Sequence, residues 1–240
     1  MSNTLLPTNH EQFNQKKYWD EFFIKTKNEA FEWYGNYNDI KTYFIHKNIL
    51  KNVKILIIGC GNSNLSNDLY DDGYKNITNI DFSELVINEM LLKNKNIRTN
   101  MKWLVMDMTS MLELNTNSYD IVLDKGALDA LMSIDTIDIQ IKTMKMFHEI
   151  TRILTINGSY ICISLCENYI LKALMSHFHY NCVQYHDSNF NKWHIEFNSY
   201  IDCKIINKTK LIPYIINIQR CGSTVNGTTT VNGTTTTATT

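Results

Sequence analysis

Residues 53–66 read Val-Lys-Ile-Leu-Ile-Ile-Gly-Cys-Gly-Asn-Ser-Asn-Leu-Ser, and this stretch constrains the chain more than any other. An apolar run interrupted only by Lys54 is what a strand buried on both faces requires. Gly59 and Gly61 then turn the backbone, and having no Cβ they let it approach a nucleotide-like ligand closely. A Gly-x-Gly pair alone is a weak signal. Here acidic residues follow where a nucleoside-binding sheet needs them. Asp81 ends Ile-Thr-Asn-Ile-Asp, 20 residues beyond Gly61, and Asp107 ends Trp-Leu-Val-Met-Asp. For Asp81 a helix N-cap is the competing role, and for Asp107 a solvated loop carboxylate.

Strand and helix patterns alternate from that point. Strands are expected at Val53–Ile58, Ile77–Asp81, Trp103–Asp107, Tyr119–Asp124 and Tyr160–Leu165. Helices are expected at Leu65–Asp72, from an N-cap at Ser83 to about Lys93, at Asp135–Leu154 with Asn157-Gly158 ending it, and at Cys166–His177. Two further helices, Tyr18 to about Lys27 and Asp39–Leu50, precede the first strand, with the aromatic cluster Phe31-Glu32-Trp33-Tyr34-Gly35 between them. Trp193 to about Tyr200 and Leu211–Gln219 read as an antiparallel pair. The fold class that follows is α/β: a Rossmann-like seven-stranded sheet, mostly parallel, with a C-terminal antiparallel hairpin and helices on both faces. By fold analogy, that terminal hairpin separates a methyltransferase architecture from a dinucleotide dehydrogenase. Residues 1–16 read as a loose lead-in and 17–220 as one domain. Residues 221–240, where Val-Asn-Gly-Thr-Thr-Thr occurs twice, read as a disordered low-complexity tail.

Composition excludes several classes. With 240 residues, 44% hydrophobic and 20% charged, the chain supports one substantial core. A net charge of −1 with no dense Lys/Arg run gives no general field for nucleic acid or an anionic membrane. No apolar run is long enough to span a bilayer, and no secretory leader is expected at the start, so the cytoplasm is the default location. The six cysteines form no C-x-x-C and no zinc-ligand spacing, which reads as buried thiols and no metal site. His177 and His179 are two apart and share no helix face. A nicotinamide dehydrogenase would call for a third glycine where Asn64 stands.

The segments Tyr18-Trp19-Asp20, Phe31-Glu32-Trp33-Tyr34-Gly35, Ile58-Gly59-Cys60-Gly61-Asn62-Ser63, Asn79-Ile80-Asp81, Met106-Asp107-Met108 and Leu123-Asp124-Lys125-Gly126-Ala127-Leu128-Asp129-Ala130 occur in this order. Together with Glu149–Leu154 and Tyr160–Leu165 they resemble the methyltransferase-like 13 family, in particular its N-terminal domain, a lysine methyltransferase of elongation factor 1-alpha. The resemblance runs from about residue 17 to 220. A sister group acting on the same factor shares much of the signature. Long members carry a second methyltransferase domain that modifies the N-terminus of that factor, and these residues do not imply that activity. The resemblance implies S-adenosylmethionine as cofactor and a protein substrate, with no direct nucleic-acid or membrane partner. It implies cofactor contacts from Trp33, Tyr34, Gly59, Cys60, Gly61, Asn62, Asp81, Phe82, Asp107, Met108 and Asp124. Asp81 would take the ribose hydroxyls, Asp107 and the Met108 amide the adenine, and the Glu32–Gly35 segment would close over the cofactor. Trp33 and Tyr34 are equally suited to a core. Asp124, then Asp129, are the catalytic candidates on the amine side, with cofactor contact or loop stabilisation as rival roles for Asp124 and an exposed helix start for Asp129. Other protein or amine acceptors, and a binding module without turnover, remain compatible with the same residues.

Overall fold

The computed structural model describes residues 7, 9–27, 29–179, 192–199 and 213–221. Seven strands form one sheet in the order β3-β2-β1-β4-β5-β7-β6: β1 (Lys54–Ile58), β2 (Asn76–Asp81), β3 (Lys102–Val105), β4 (Tyr119–Lys125), β5 (Leu154–Ser164), β6 (Lys192–Ser199) and β7 (Tyr214–Cys221). The first five are parallel to one another, and β7 runs antiparallel between β5 and β6. From β1 the chain steps outward through β2 to β3 and then returns to β4 on the other side of β1. That reversal opens a crevice at the carboxyl ends of β1 and β4.

Both faces of the sheet are covered, which explains the apolar run Ile55–Ile58 of β1. Ile55 and Ile57 join one buried cluster with Phe22, Phe44, Val86 and Met90, whereas Leu56 and Ile58 join the other with Val122, Phe147 and Ile150. The first cluster is closed by α1 (Lys16–Lys25), α2 (Tyr37–His46), α3 (Leu65–Asp71) and α4 (Glu84–Asn94). The second is closed by α5 (Ala127–Leu131), α6 (Ile137–Ile153) and α7 (Asn168–Leu174). Helix α6 buries Ile139, Thr143, Met146, Phe147, Ile150 and Ile153, the single stripe that a 3.6-residue period places against a sheet.

Local chemistry shifts several boundaries from their expected places. Helix α2 starts two residues before Asp39, because Asn36 and Asp39 form a reciprocal capping box. Helix α6 stops at Ile153 and β5 starts at once, so Asn157-Gly158 does not end the helix. Asn157 (φ 67°) lies instead inside β5, where the β4–β5 register shifts. Ser83 precedes α4 without capping it, its hydroxyl donating to Asp20 Oδ1 at 2.6 Å. The expected helix Cys166–His177 is α7 followed by one π-turn at Met175–His179. Residues His10–Asn14 form a 3-10 turn whose Phe13 ring meets Trp19 and Trp33. The expected tail, from residue 222 onward, lies outside the described residues, as do 200 and 211–212 at the ends of the expected hairpin strands.

Candidate active site

The turn after β1 is built around two left-handed glycines, Gly59 (φ 56°) and Gly61 (φ 50°). A Cβ on Gly59 would lie 2.6 Å from Ala127 Cβ, so the close approach of this turn to the start of α5 depends on glycine. The Cys60 amide donates to Ile80 O (3.0 Å) while its thiol is buried in the first cluster, where desolvation pushes its pKa well up. Asn62 is buried and donates to Thr26 Oγ1 (3.1 Å) and Glu29 O (2.8 Å), tying the loop to the chain that leaves α1.

Asp81 closes β2 facing this turn. Its carboxylate accepts from the Gly61 amide (3.0 Å) and the Ser83 amide (2.9 Å). Burial raises its pKa to about 6 against the lowering effect of those two amides, so it is ionised at neutral pH. Each oxygen keeps a lone pair for a ligand. The N-cap alternative for Asp81 describes its bond to Ser83, and the bond to Gly61 adds a second function that joins the β1 and β2 tips.

Over the crevice lies an aromatic lid of Phe13, Trp19, Phe22, Phe23, Phe31 and Trp33, with ring centroids 5.1–6.4 Å apart and mostly edge to face. One ion pair fastens it. The Lys125 side chain is 5% exposed and donates to Glu32 Oε2 (2.5 Å), Trp33 O (3.0 Å) and Gly35 O (2.9 Å). Glu32 also accepts from Ser63 Oγ and the Asn64 amide, both at 2.7 Å. Three sequence motifs, at 31–35, 58–63 and 123–130, are thus joined by one carboxylate and one ammonium.

The two sides of β4 divide its carboxylate from its cation. Asp124 is fully buried with Val122 on one face of the sheet; Lys125 points to the other. Asp124 accepts from the Ala127 amide (2.8 Å), the Leu128 amide (3.2 and 3.3 Å) and Tyr160 Oη (2.9 Å), and so caps α5. Burial raises its pKa to about 7. Asp129, one turn into α5, accepts from Ser164 Oγ at 2.8 Å, and burial raises it to about 6. Asp107 is exposed two residues beyond β3 and accepts from the Thr109 amide at 2.8 Å.

A cavity of about 450 Å³ results, within the range of small-molecule sites. Nine of the expected cofactor residues line it: Trp33, Gly59, Cys60, Gly61, Asn62, Asp81, Phe82, Asp107 and Met108. Tyr34, Asp124 and Asp129 do not. Tyr34 is turned against Gly126, where a Cβ would lie 3.3 Å from its ring, and Asp124 has its oxygens committed to α5 and Tyr160. Among the described residues no cluster of His, Cys, Asp or Glu could hold a metal ion, and no helix is long and apolar enough to cross a membrane.

Residues 49–219 match the family described as a methyltransferase domain. The chain belongs to this methyltransferase family. It is 44% identical over 178 residues to the human eEF1A lysine and N-terminal methyltransferase, covering 72% of this chain and 25% of that protein. A homolog of the same name from Drosophila pseudoobscura pseudoobscura is 44% identical over 180 residues, covering 75% and 26%. The mouse EEF1A lysine methyltransferase 4 is 31% identical over 129 residues, covering 53% and 49%. The chain spans about a quarter of the length of the first two relatives. Among solved structures, a SAM-dependent methyltransferase from Methanosarcina mazei superposes with a TM-score of 0.52 at 16% identity, covering 74% of this chain and 97% of that one. Haemonchus contortus phosphoethanolamine N-methyltransferase 1, in complex with phosphoethanolamine and S-adenosylhomocysteine, gives 0.58 at 14%, covering 92% and 51%. These likenesses show the methyltransferase fold.

Several residues that line this cavity escaped the sequence reading. Phe13, Trp19 and Phe23 line the cavity from a turn and a helix that carry no nucleotide-binding signature. Lys142 on α6 lines it from the opposite side. The orientation of Lys125 was accessible: Ile121 and Leu123 share one face of β4, and a two-residue period puts Lys125 on that face with the lid.

Proposed function

We propose that the chain is an S-adenosylmethionine-dependent protein-lysine N-methyltransferase of the cytoplasm acting on elongation factor 1-alpha. The observation that carries this reading is that Gly59–Asn62, Asp81 and Asp107 line one aromatic-lidded cavity at the switch point of the sheet. The similarity to eEF1A methyltransferases supplies the acceptor.

The donor set suits the cofactor. Asp81 is a carboxylate with open lone pairs at the tip of β2, and it would accept from the ribose diol. Asp107 and the Met108 amide would hold the adenine edge, and Trp33 and Trp19 offer aromatic faces to a sulfonium cation. When bound, the cofactor supplies an electrophilic methyl group and its own leaving group. The protein aligns the acceptor and excludes water. An acceptor lysine must be neutral to react, which costs ~4 kcal/mol at neutral pH from a reference pKa near 10.4. The apolar lid lowers that cost by desolvating the ammonium form. Asp124 serves the site by fixing α5, which supplies Ala127, Ala130 and Leu131 to the cavity wall.

Calorimetric titration with S-adenosylmethionine tests the pocket. Asp81→Ala removes two charge-assisted bonds to the ribose and is expected to weaken binding at least ~100-fold. Unchanged affinity would show that the pocket is misassigned. Incubation of the wild type with labelled cofactor and purified elongation factor 1-alpha, followed by mass spectrometry, tests the acceptor; absence of methyl-lysine refutes it.

A further inference from the structure

The link between α1 and the tip of β2 holds more than packing requires. Ser83 stands where α4 needs an N-cap, yet its side chain makes no cap bond. The hydroxyl donates instead to Asp20 Oδ1 at 2.6 Å, on a helix 63 residues earlier in the chain. Every polar group of Ser83 is then used, each on a different element. Its amide donates to Asp81 Oδ1 at 2.9 Å, its hydroxyl to Asp20, and its carbonyl accepts from the Ile87 amide at 3.2 Å. The residue is fully buried, so water does not stand in for any of these bonds.

Asp20 is committed on both oxygens as well. Oδ2 accepts from Lys16 Nζ at 2.7 Å. By itself an i,i+4 pair at a helix surface contributes little. Two facts distinguish this one. The Asp20 side chain is 25% exposed, and against its partial burial the bonds from Lys16 and Ser83 hold the carboxyl below its usual range. Lys16 also lines the cavity, as do Trp19, Phe22 and Phe23 of the same helix, while Asp20 itself does not. Besides burial and its two amide donors, both charges act on Asp81: Asp20 pushes its pKa up and Lys16 pulls it down.

A carboxylate that accepts from a diol needs its plane fixed, because its free lone pairs point only where the bound donors leave them. The Gly61 amide fixes one oxygen of Asp81 from the glycine turn after β1. The Ser83 amide fixes the other, and Ser83 is held in turn by Asp20. We propose that Asp20 is a positioning residue for the methyl donor: through the Ser83 hydroxyl it aims the amide that orients Asp81, and with Lys16 it holds α1 as the wall over the Asp81 end of the cavity. This assignment rests on the reading of the cavity as an S-adenosylmethionine site and adds to it a residue that does not touch the ligand.

The test is calorimetric titration of the full chain with S-adenosylmethionine. Asp20→Ala and Ser83→Ala are each expected to weaken binding roughly 10-fold, and the double variant no more than the worse of the two, because both act along one path. Asp20→Asn keeps an acceptor for Ser83 and removes the charge, so near neutral pH its affinity should lie between wild type and Asp20→Ala. Its pH profile separates aiming from general loosening. Asp81 accepts best when ionised, so wild-type affinity is expected to fall as pH drops through about 6. The groups that face Asp81 are Asp20 and Lys16 of α1, the Cys60 thiol, and the Gly61 and Ser83 amides. Asp20→Asn deletes the repelling charge and leaves Lys16 unopposed, and both effects favour ionised Asp81, so the acid limb should move to lower pH. A merely structural role would lower the melting temperature and leave that limb in place. Unchanged affinity in Asp20→Ala, additive losses in the double variant, or an unmoved limb in Asp20→Asn overturns the inference while the pocket assignment stands. Where Asp20→Ala does not fold, Ser83→Ala and Asp20→Asn still decide it. A wild type that binds no S-adenosylmethionine removes both.

Discussion

Replacing Lys125 by methionine keeps the length of the side chain and deletes its charge, which isolates what the lid fastening contributes. All three Nζ donors are used in the folded state, on Glu32, Trp33 O and Gly35 O. Removing one partner of a buried ion pair costs ~3–5 kcal/mol, because the other is left in a poorly solvated place. Here Glu32 is 22% exposed and keeps its bonds to Ser63 and Asn64, so water and those donors recover part of the loss. The two carbonyls lose a donor at a cost of ~1 kcal/mol each, and the buried methionine returns about 1 kcal/mol of apolar transfer. The expected net destabilisation is ~2–4 kcal/mol. It falls on the lid first, since Lys125 is what ties residues 32–35 to β4. Urea unfolding of wild type, Lys125→Met, Glu32→Gln and the double variant measures this, with the coupling energy of the cycle expected at ~2 kcal/mol. Calorimetry should show a parallel loss of S-adenosylmethionine affinity. A Lys125→Met variant within about 0.5 kcal/mol of wild type that binds the cofactor normally would refute the fastening role.

Two further outcomes are expected. Gly59→Ala should destabilise by ~2–4 kcal/mol, since its Cβ would sit 2.6 Å from Ala127 Cβ at a φ of 56°; Ala127→Gly should restore part of that loss in thermal unfolding, and absence of rescue would place the strain elsewhere. Asp124 has a folded pKa of about 7, above its unfolded value, so its contribution is present at low pH and lost as pH rises through 7. The stability advantage of wild type over Asp124→Asn should therefore shrink between pH 5 and pH 8 in urea titrations, and parallel profiles for the two proteins would sink the assignment.

Much of this architecture is legible in the chain itself. The β1 run, its two glycines and the distance to Asp81 suffice to place a ligand crevice, because each is a local steric or periodic requirement. Helix α5 was missed because five residues carry no period, and it is that helix which claims Asp124 as a cap. The Asn157-Gly158 pair has turn chemistry that a helix end and a strand irregularity share, so only the pairing of β5 with β4 distinguishes them.

The sequence by itself determined the order of strands, the glycine turn and the facing carboxylate of Asp81, all consequences of backbone sterics and spacing. Only the tertiary structure decided which acids face what. Asp124 and Asp129 are five residues apart in one motif, yet the first accepts from the Ala127 and Leu128 amides and caps α5 while the second is held by Ser164 Oγ at the end of β5. The physical reason is that a carboxylate's role depends on the donors brought to it, and Tyr160, Ser164 and Tyr34 arrive from strands and loops that are distant in the chain.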